Sequence, residues 1–126
     1  YIAIKMDDRS KDSMFLAISS LYNTLTSKLL KTFTVDRGKE FACFEQVETE
    51  FGIPMYFADA YAAWQRGSNE NSNGLLREFF PKKTDLAKVT LDKLTEALVL
   101  INNRPRKCLG FKTPFDMFKH EIKKLI

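Results

Sequence analysis

Cysteine is scarce in this 126-residue sequence: Cys43 and Cys108 stand 65 positions apart. That spacing makes neither a metal cluster nor a disulfide framework, so a reducing cytosol is the expected setting. Long apolar runs are missing too. The longest, Met14 to Ile18 and Ala97 to Ile101, fall far short of the ~18 residues of a membrane span, and no membrane partner is expected. Tyr1 to Met6 lacks the basic start and small-residue cleavage site of a signal peptide. The single histidine, His120, sits among Lys119, Glu121 and Lys123 and reads as a surface residue rather than a ligand. Repeats and low-complexity tracts are absent. What is present builds a core. Hydrophobic residues make up 44% of the chain, with 11 Phe, which excludes disorder and suits one domain over residues 1–126.

Charge is unevenly distributed. Residues 1–76 carry 8 basic and 10 acidic side chains, whereas residues 77–126 carry 12 basic and 6 acidic. Between Asn102 and Lys112 lie Arg104, Arg106, Lys107 and Lys112 with no acid among them. Such a stretch suits a polyanionic partner, and it equally describes a solvated basic face.

Periodicity lays out the elements. Tyr1 to Met6 alternates like a strand, and Asp7-Asp8-Arg9-Ser10 turns into a helix over Lys11 to Leu25. Leu29 to Val35 reads as a second strand, ended by Asp36-Arg37-Gly38. A helix from Lys39 to Phe51 is capped by Gly52, and Ile53 to Ala58 is a third strand with Pro54 near its start. A polar stretch from Tyr61 leads to a helix that stops at Pro81. Thr90 caps another, with Leu91, Leu94, Leu98 and Ile101 on its apolar stripe. Thr113-Pro114-Phe115-Asp116 starts the last, whose apolar face is Phe115, Phe118, Ile122 and Leu125. The layout is α/β with an all-helical second half.

Two carboxylates stand where chemistry is done. Asp36 directly follows an apolar strand, the end at which open α/β sheets place ligands. It also suits a plain turn before Arg37-Gly38. Glu70 heads a helix, where an acid serves the helix dipole, yet three Asn, a Ser and Gly74 surround it in place of better helix formers. Arg77 lies seven residues on, along the same face. A carboxylate and a guanidinium so placed suit a metal and a phosphate together. Trp64 suits packing under the loop or stacking on a base. The cysteines read as small apolar side chains.

The residues also carry a resemblance. Thr34-Val35-Asp36-Arg37-Gly38-Lys39-Glu40-Phe41 resembles the "TDNGKEF" segment of DDE transposases. Tyr56 to Tyr61, Trp64 to Arg77 and Asn102 to Pro114 are similar to three further blocks of the insertion-sequence-thirty family, a bacterial branch of the integrase-core transposases. Asp36 and Glu70 are 34 positions apart, matching the family's interval. The resemblance implies an RNase H-like fold and a nucleoid-associated enzyme that cuts transposon ends and joins them to target DNA. It implies Asp36 and Glu70 as second and third catalytic carboxylates, holding two Mg²⁺ or Mn²⁺ ions with a first Asp. Arg77 would contact phosphate, and Arg66, Trp64, Arg104, Arg106, Lys107 and Lys112 join the expected DNA-binding set.

Three departures from the family pattern stand out. Arg37 replaces the usual Asn, adding a positive charge that competes with metal, and Ala60 replaces the usual Pro. The first two strands of the fold, and with them the first catalytic Asp, are expected to be missing. Asp7 and Asp8 do not substitute; the turn into the helix is their expected role, with Asp12 in its first turn. The expectation is therefore an N-terminally truncated core, inactive alone, whose exposed sheet edge pairs with a second copy. The alternative is a non-catalytic DNA-binding or multimerisation fragment.

Overall fold

Asp8 opens the first helix through a web of short hydrogen bonds. Its Oδ1 accepts from the Ser10 N–H at 2.9 Å and from the Ser13 hydroxyl at 2.7 Å. Ser10 Oγ in turn accepts from the Ser13 N–H at 3.1 Å, which caps α1 (Lys11–Leu29). The turn role expected of Asp8 is thus its observed role. Helix α1 runs one turn beyond the expected Leu25 and takes Leu29 from the expected strand. Leu21, Leu25 and Leu29 continue one i, i+4 stripe, and the β-branched run begins only at Thr32.

The computed structural model describes residues 1–59 and 67–125. The chain divides into two compact units, Ile4–Gly67 and Tyr1–Ala3 with Ser68–Ile126. In the first, β1 (Phe33–Val35) and β2 (Met55–Phe57) pair in parallel, with Phe33 opposite Met55 and Val35 opposite Phe57. The ladder extends past both ends: the Phe33 N–H donates to the Pro54 carbonyl at 3.0 Å and the Ala58 N–H to the Val35 carbonyl at 2.7 Å. Pro54, which has no N–H to donate, thus takes part only as an acceptor. The connection between strands is a 3₁₀ turn, Lys39–Cys43, running into α2 (Phe44–Phe51). Gly52 ends α2 in the left-handed region at φ 65°, as expected, and nothing would crowd a side chain there. Glu48 Oε1 accepts from the Met55 N–H at 3.1 Å and ties α2 to β2.

The core of this unit is Ile18, Val35, Cys43, Val47 and Met55, with Phe15, Phe33, Phe41, Phe44, Phe51 and Phe57 packed around them. Each fully buried aliphatic side chain contributes about 1.5–3 kcal/mol, and Val47 is 0% exposed. Phe44 meets Phe57 edge to face at 5.3 Å, and Tyr22 and Phe51 lie 4.6 Å apart. Burial also pushes the Cys43 thiol up, so it stays protonated and serves as the apolar group expected of it.

The second unit is helical: α3 (Gly67–Phe79), α4 (Leu91–Asn102) and α5 (Pro114–Leu125). The expected caps form. Thr90 Oγ1 accepts from the Lys93 N–H at 3.2 Å and Thr113 Oγ1 from the Asp116 N–H at 3.1 Å. The expected stripe of α4 forms from its second turn on, with Leu94 and Leu98 half-buried and Ile101 buried. Ala97 and Ile101 are its buried residues, while Leu91 in its first turn is 69% exposed. Phe115 and Phe118, on the apolar face of α5, are exposed.

Tyr1 to Met6 forms no strand, which corrects the expectation from its alternation. The Asn102 amide takes both backbone groups of Tyr1, accepting from its nitrogen at 2.6 Å and donating to its carbonyl at 2.8 Å. The architecture is therefore mixed: helices with a two-stranded parallel sheet among the described residues. No helix among them is long and apolar enough to cross a membrane.

Candidate functional site

Asp36 follows the last residue of β1 and is half-buried. Its Oδ1 accepts from the Gly38 N–H at 2.8 Å, an Asx turn that holds the carboxylate against its own strand end. Gly38 has no spare room. A Cβ there would lie 2.6 Å from Glu40 Oε2, an oxygen that also receives Arg9 Nη2 at 3.3 Å. The glycine thus allows a second carboxylate, Glu40, to fold back onto the turn. Composition hid this, since Glu40 reads as a helix-start acid, although its place in the Gly38-Lys39-Glu40 block was a signal. Beside the turn lies a shallow depression of about 230 Å³, lined by Arg37, Phe41, Phe44 and Phe57 among others. Arg37 itself is exposed.

Glu70 lies near the N-terminus of α3. Its side chain is outside the described residues, as are Trp64, Arg66 and Ala60 altogether. Asp36 belongs to the sheet unit and Glu70 to the helical unit. Among the described residues no three His, Cys, Asp or Glu side chains gather to hold a metal ion. The donors at the two motif positions are carboxylate oxygens, the hard ligands that Mg²⁺ and Mn²⁺ take.

The basic candidates separate into two groups. Arg77 is exposed on α3 and donates through Nη1 to the Phe80 carbonyl at 3.3 Å, covering an orphan acceptor at the helix end. Arg104 pairs with Glu78 at 2.9 Å across the surface. Arg106, Lys107 and Lys112 share one small hairpin between α4 and α5, closed by an antiparallel bridge between Arg106 and Lys112. The Arg106 N–H donates to the Lys112 carbonyl at 3.1 Å and the Phe111 N–H to the Arg106 carbonyl at 2.8 Å. A 3₁₀ turn, Lys107–Leu109, fills the loop, and Gly110 and Phe111 both take positive φ, 62° and 64°. For an L-residue that conformation costs about 1–2 kcal/mol. The stretch is therefore both a connector and a cluster of cations. Phe111 went unnoticed in the sequence because a positive φ at a non-glycine residue leaves no compositional trace. Cys108, read as a small apolar side chain, is exposed on this turn. His120 is exposed, as expected.

No protein-family model matches the chain. Curated relatives do. Transposase InsI for insertion sequence element IS30A of Escherichia coli K12 is 43% identical over 116 residues, 90% of this chain and 30% of its own length. The transposase for insertion sequence element IS4351 of Bacteroides fragilis is 45% identical over 94 residues, 75% of this chain and 29% of the relative. A putative integrase, ORF3 of Spiroplasma virus SpV1-R8A2 B, is 33% identical over 125 residues, 97% and 38% of the two chains. The chain spans about a third of the length of these relatives.

Proposed function

Since the chain belongs by sequence to the IS30 family of transposases, we propose that it forms part of a catalytic core that cleaves DNA at transposon ends and joins the 3′-hydroxyls to target DNA. The observation carrying this reading is the ordered similarity to a transposase over 90% of the chain. The position of Asp36 supports it: a carboxylate at the carboxyl end of a parallel strand, steadied by its own turn. In this reading the core is RNase H-like and of the DDE type. Asp36 and Glu70 would hold divalent Mg²⁺ or Mn²⁺ through carboxylate oxygens. Metal held by Asp36 and Glu70 would supply activation of the attacking water or 3′-hydroxyl and charge stabilisation at the leaving oxygen. The chain's own contribution is to fix the carboxylates, through the Gly38 N–H on Asp36 and through the backbone of α3 under Glu70. The hairpin cations Arg106, Lys107 and Lys112, with Arg77, Arg66 and Arg104, hold DNA phosphates, and Trp64 adds a ring to that surface. Two of the three motif carboxylates, Asp36 and Glu70, lie in residues 1–126.

The test is strand transfer by a transposase that carries this segment together with the first motif Asp. Asp36→Asn and Glu70→Gln each abolish joining while leaving DNA binding in place. Joining at the unaltered rate by either variant overturns the assignment. Each strand of the sheet is hydrogen-bonded along one side only among the described residues, which supports pairing with a second copy through the open edge. Sedimentation of a concentration series as a lone monomer would remove that part.

A further inference from the structure

Phe111 carries two costs at one position. Its ring is 70% exposed, and its backbone sits at φ 64°, where side chains other than glycine, Asn and Asp are uncommon. Gly110, one residue earlier at φ 62°, shows what such a turn ordinarily uses. A glycine at 111 would close the same hairpin without strain, and the ring adds nothing to the buried core. Neither the turn nor packing accounts for a phenylalanine here. Backbone strain retained against an easier residue is a feature of functional positions.

The surroundings indicate what the ring meets. The Phe111 backbone N–H donates to the Arg106 carbonyl on a hairpin that carries the cations Arg106, Lys107 and Lys112, with Arg104 before it and no acid from Asn102 to Lys112. An exposed aromatic ring on a hairpin that also carries three cations matches a nucleobase flanked by its phosphates. A ring on a connector stacks only on a base free of its own helix stack, as in a single strand or a frayed end. We propose that Phe111 is a base-stacking residue that engages an unpaired base of DNA while Arg106, Lys107 and Lys112 hold the adjoining phosphates. This rests on the reading of the chain as a DNA-acting transposase segment and adds to it the state of the DNA that is bound.

The experiment measures binding of the 126-residue chain to a labelled single-stranded oligonucleotide and to a blunt duplex of the same sequence, over a series of salt concentrations. Phe111→Gly relaxes the backbone and removes the ring. It is expected to weaken single-strand binding about 5- to 150-fold, the range for one base–aromatic stack, and to leave duplex binding and circular dichroism unchanged. Phe111→Trp restores single-strand binding. Lys107→Ala weakens both substrates and flattens the salt slope by about one unit. Single-strand binding by Phe111→Gly as tight as by the parent, with Lys107→Ala still impaired, overturns the stacking role and leaves the DNA reading intact. A change of oligomeric state in Phe111→Gly at unaltered DNA affinity overturns it in favour of a protein contact. Absence of salt-dependent binding to either substrate by the parent chain overturns the DNA reading and the stacking role together.

Discussion

The two compact units solve the burial problem differently. Among the described residues, seven of the ten buried apolar side chains belong to Ile4–Gly67: Ile18, Val35, Cys43, Val47, Ile53, Met55 and Ala58. The helical unit supplies only Phe80, Ala97 and Ile101. Exposed large apolar side chains among the described residues reverse the ratio, with eight in the helical unit against Ile4, Leu16 and Tyr56 in the sheet unit. Charge follows the same division. The sheet unit has 8 basic and 9 acidic residues, the helical unit 12 and 7. A parallel strand pair with its crossover helix and α1 draws apolar residues inward from several directions, whereas each of three short helices buries one narrow stripe. The unit with the smaller core displays more cations and more apolar surface, the composition of a face made for contact.

The sharpest way to break this contrast is to remove the helical unit's small core. Ile101→Ala is expected to cost about 2–5 kcal/mol, since Ile101 is enclosed and few other buried residues share its load. Val47→Ala removes two methyl groups from the better-filled unit and should cost roughly 2 kcal/mol. Urea unfolding of both variants checks the order; a larger loss for Val47→Ala would contradict the account of where packing is thin. Next in size is Gly52→Ala, at about 1–2 kcal/mol for an L-residue forced to φ 65°. A Cβ at Gly52 meets nothing within 4 Å, so Gly52→Asn should recover part of that loss in thermal unfolding, and a clash would not be so relieved. Thr90→Ala removes the cap of α4 and should cost about 1 kcal/mol, with Thr90→Ser near neutral.

The smallest effect is a pH dependence. Hydrogen bonds from the Ser10 and Ser13 hydroxyls and the Ser10 N–H hold the exposed Asp8 carboxyl down at about 2, from an ordinary 3.8. A depressed carboxyl adds stability that is fully present above its unfolded value and lost as pH falls through the folded one. The α1 cap should therefore weaken between about pH 4 and pH 2. Carbon-detected titration of Asp8 should show the low midpoint, and Ser13→Ala should raise it.

Much of this molecule was legible in its residues. Thr90 and Thr113 cap the helices they precede, Gly52 ends α2 in the left-handed region, and Pro54 sits where its missing N–H does least harm. The blocks around Asp36, Glu70 and Asn102 lead to the transposase family that the relatives carry. Other features were not legible. Tyr1 to Met6 alternates like a strand but forms none, with Tyr1 bonded to Asn102, and Leu91 fits a helical stripe yet is exposed. Phe111 gives no sign in the sequence that its backbone turns left-handed.

The sequence by itself determined the family through its blocks of matching residues. It also determined the caps and the order of the elements from Lys11 onward, because those depend on side chains within a few positions of the backbone groups they meet. Tertiary structure decided what pairs with the N-terminal segment, how far α1 extends, that Leu91 on α4 stays exposed, and that a phenylalanine ring stands out from a basic hairpin. Those outcomes depend on groups far apart in the chain, and a local pattern states only that a face is apolar, never what arrives to bury it.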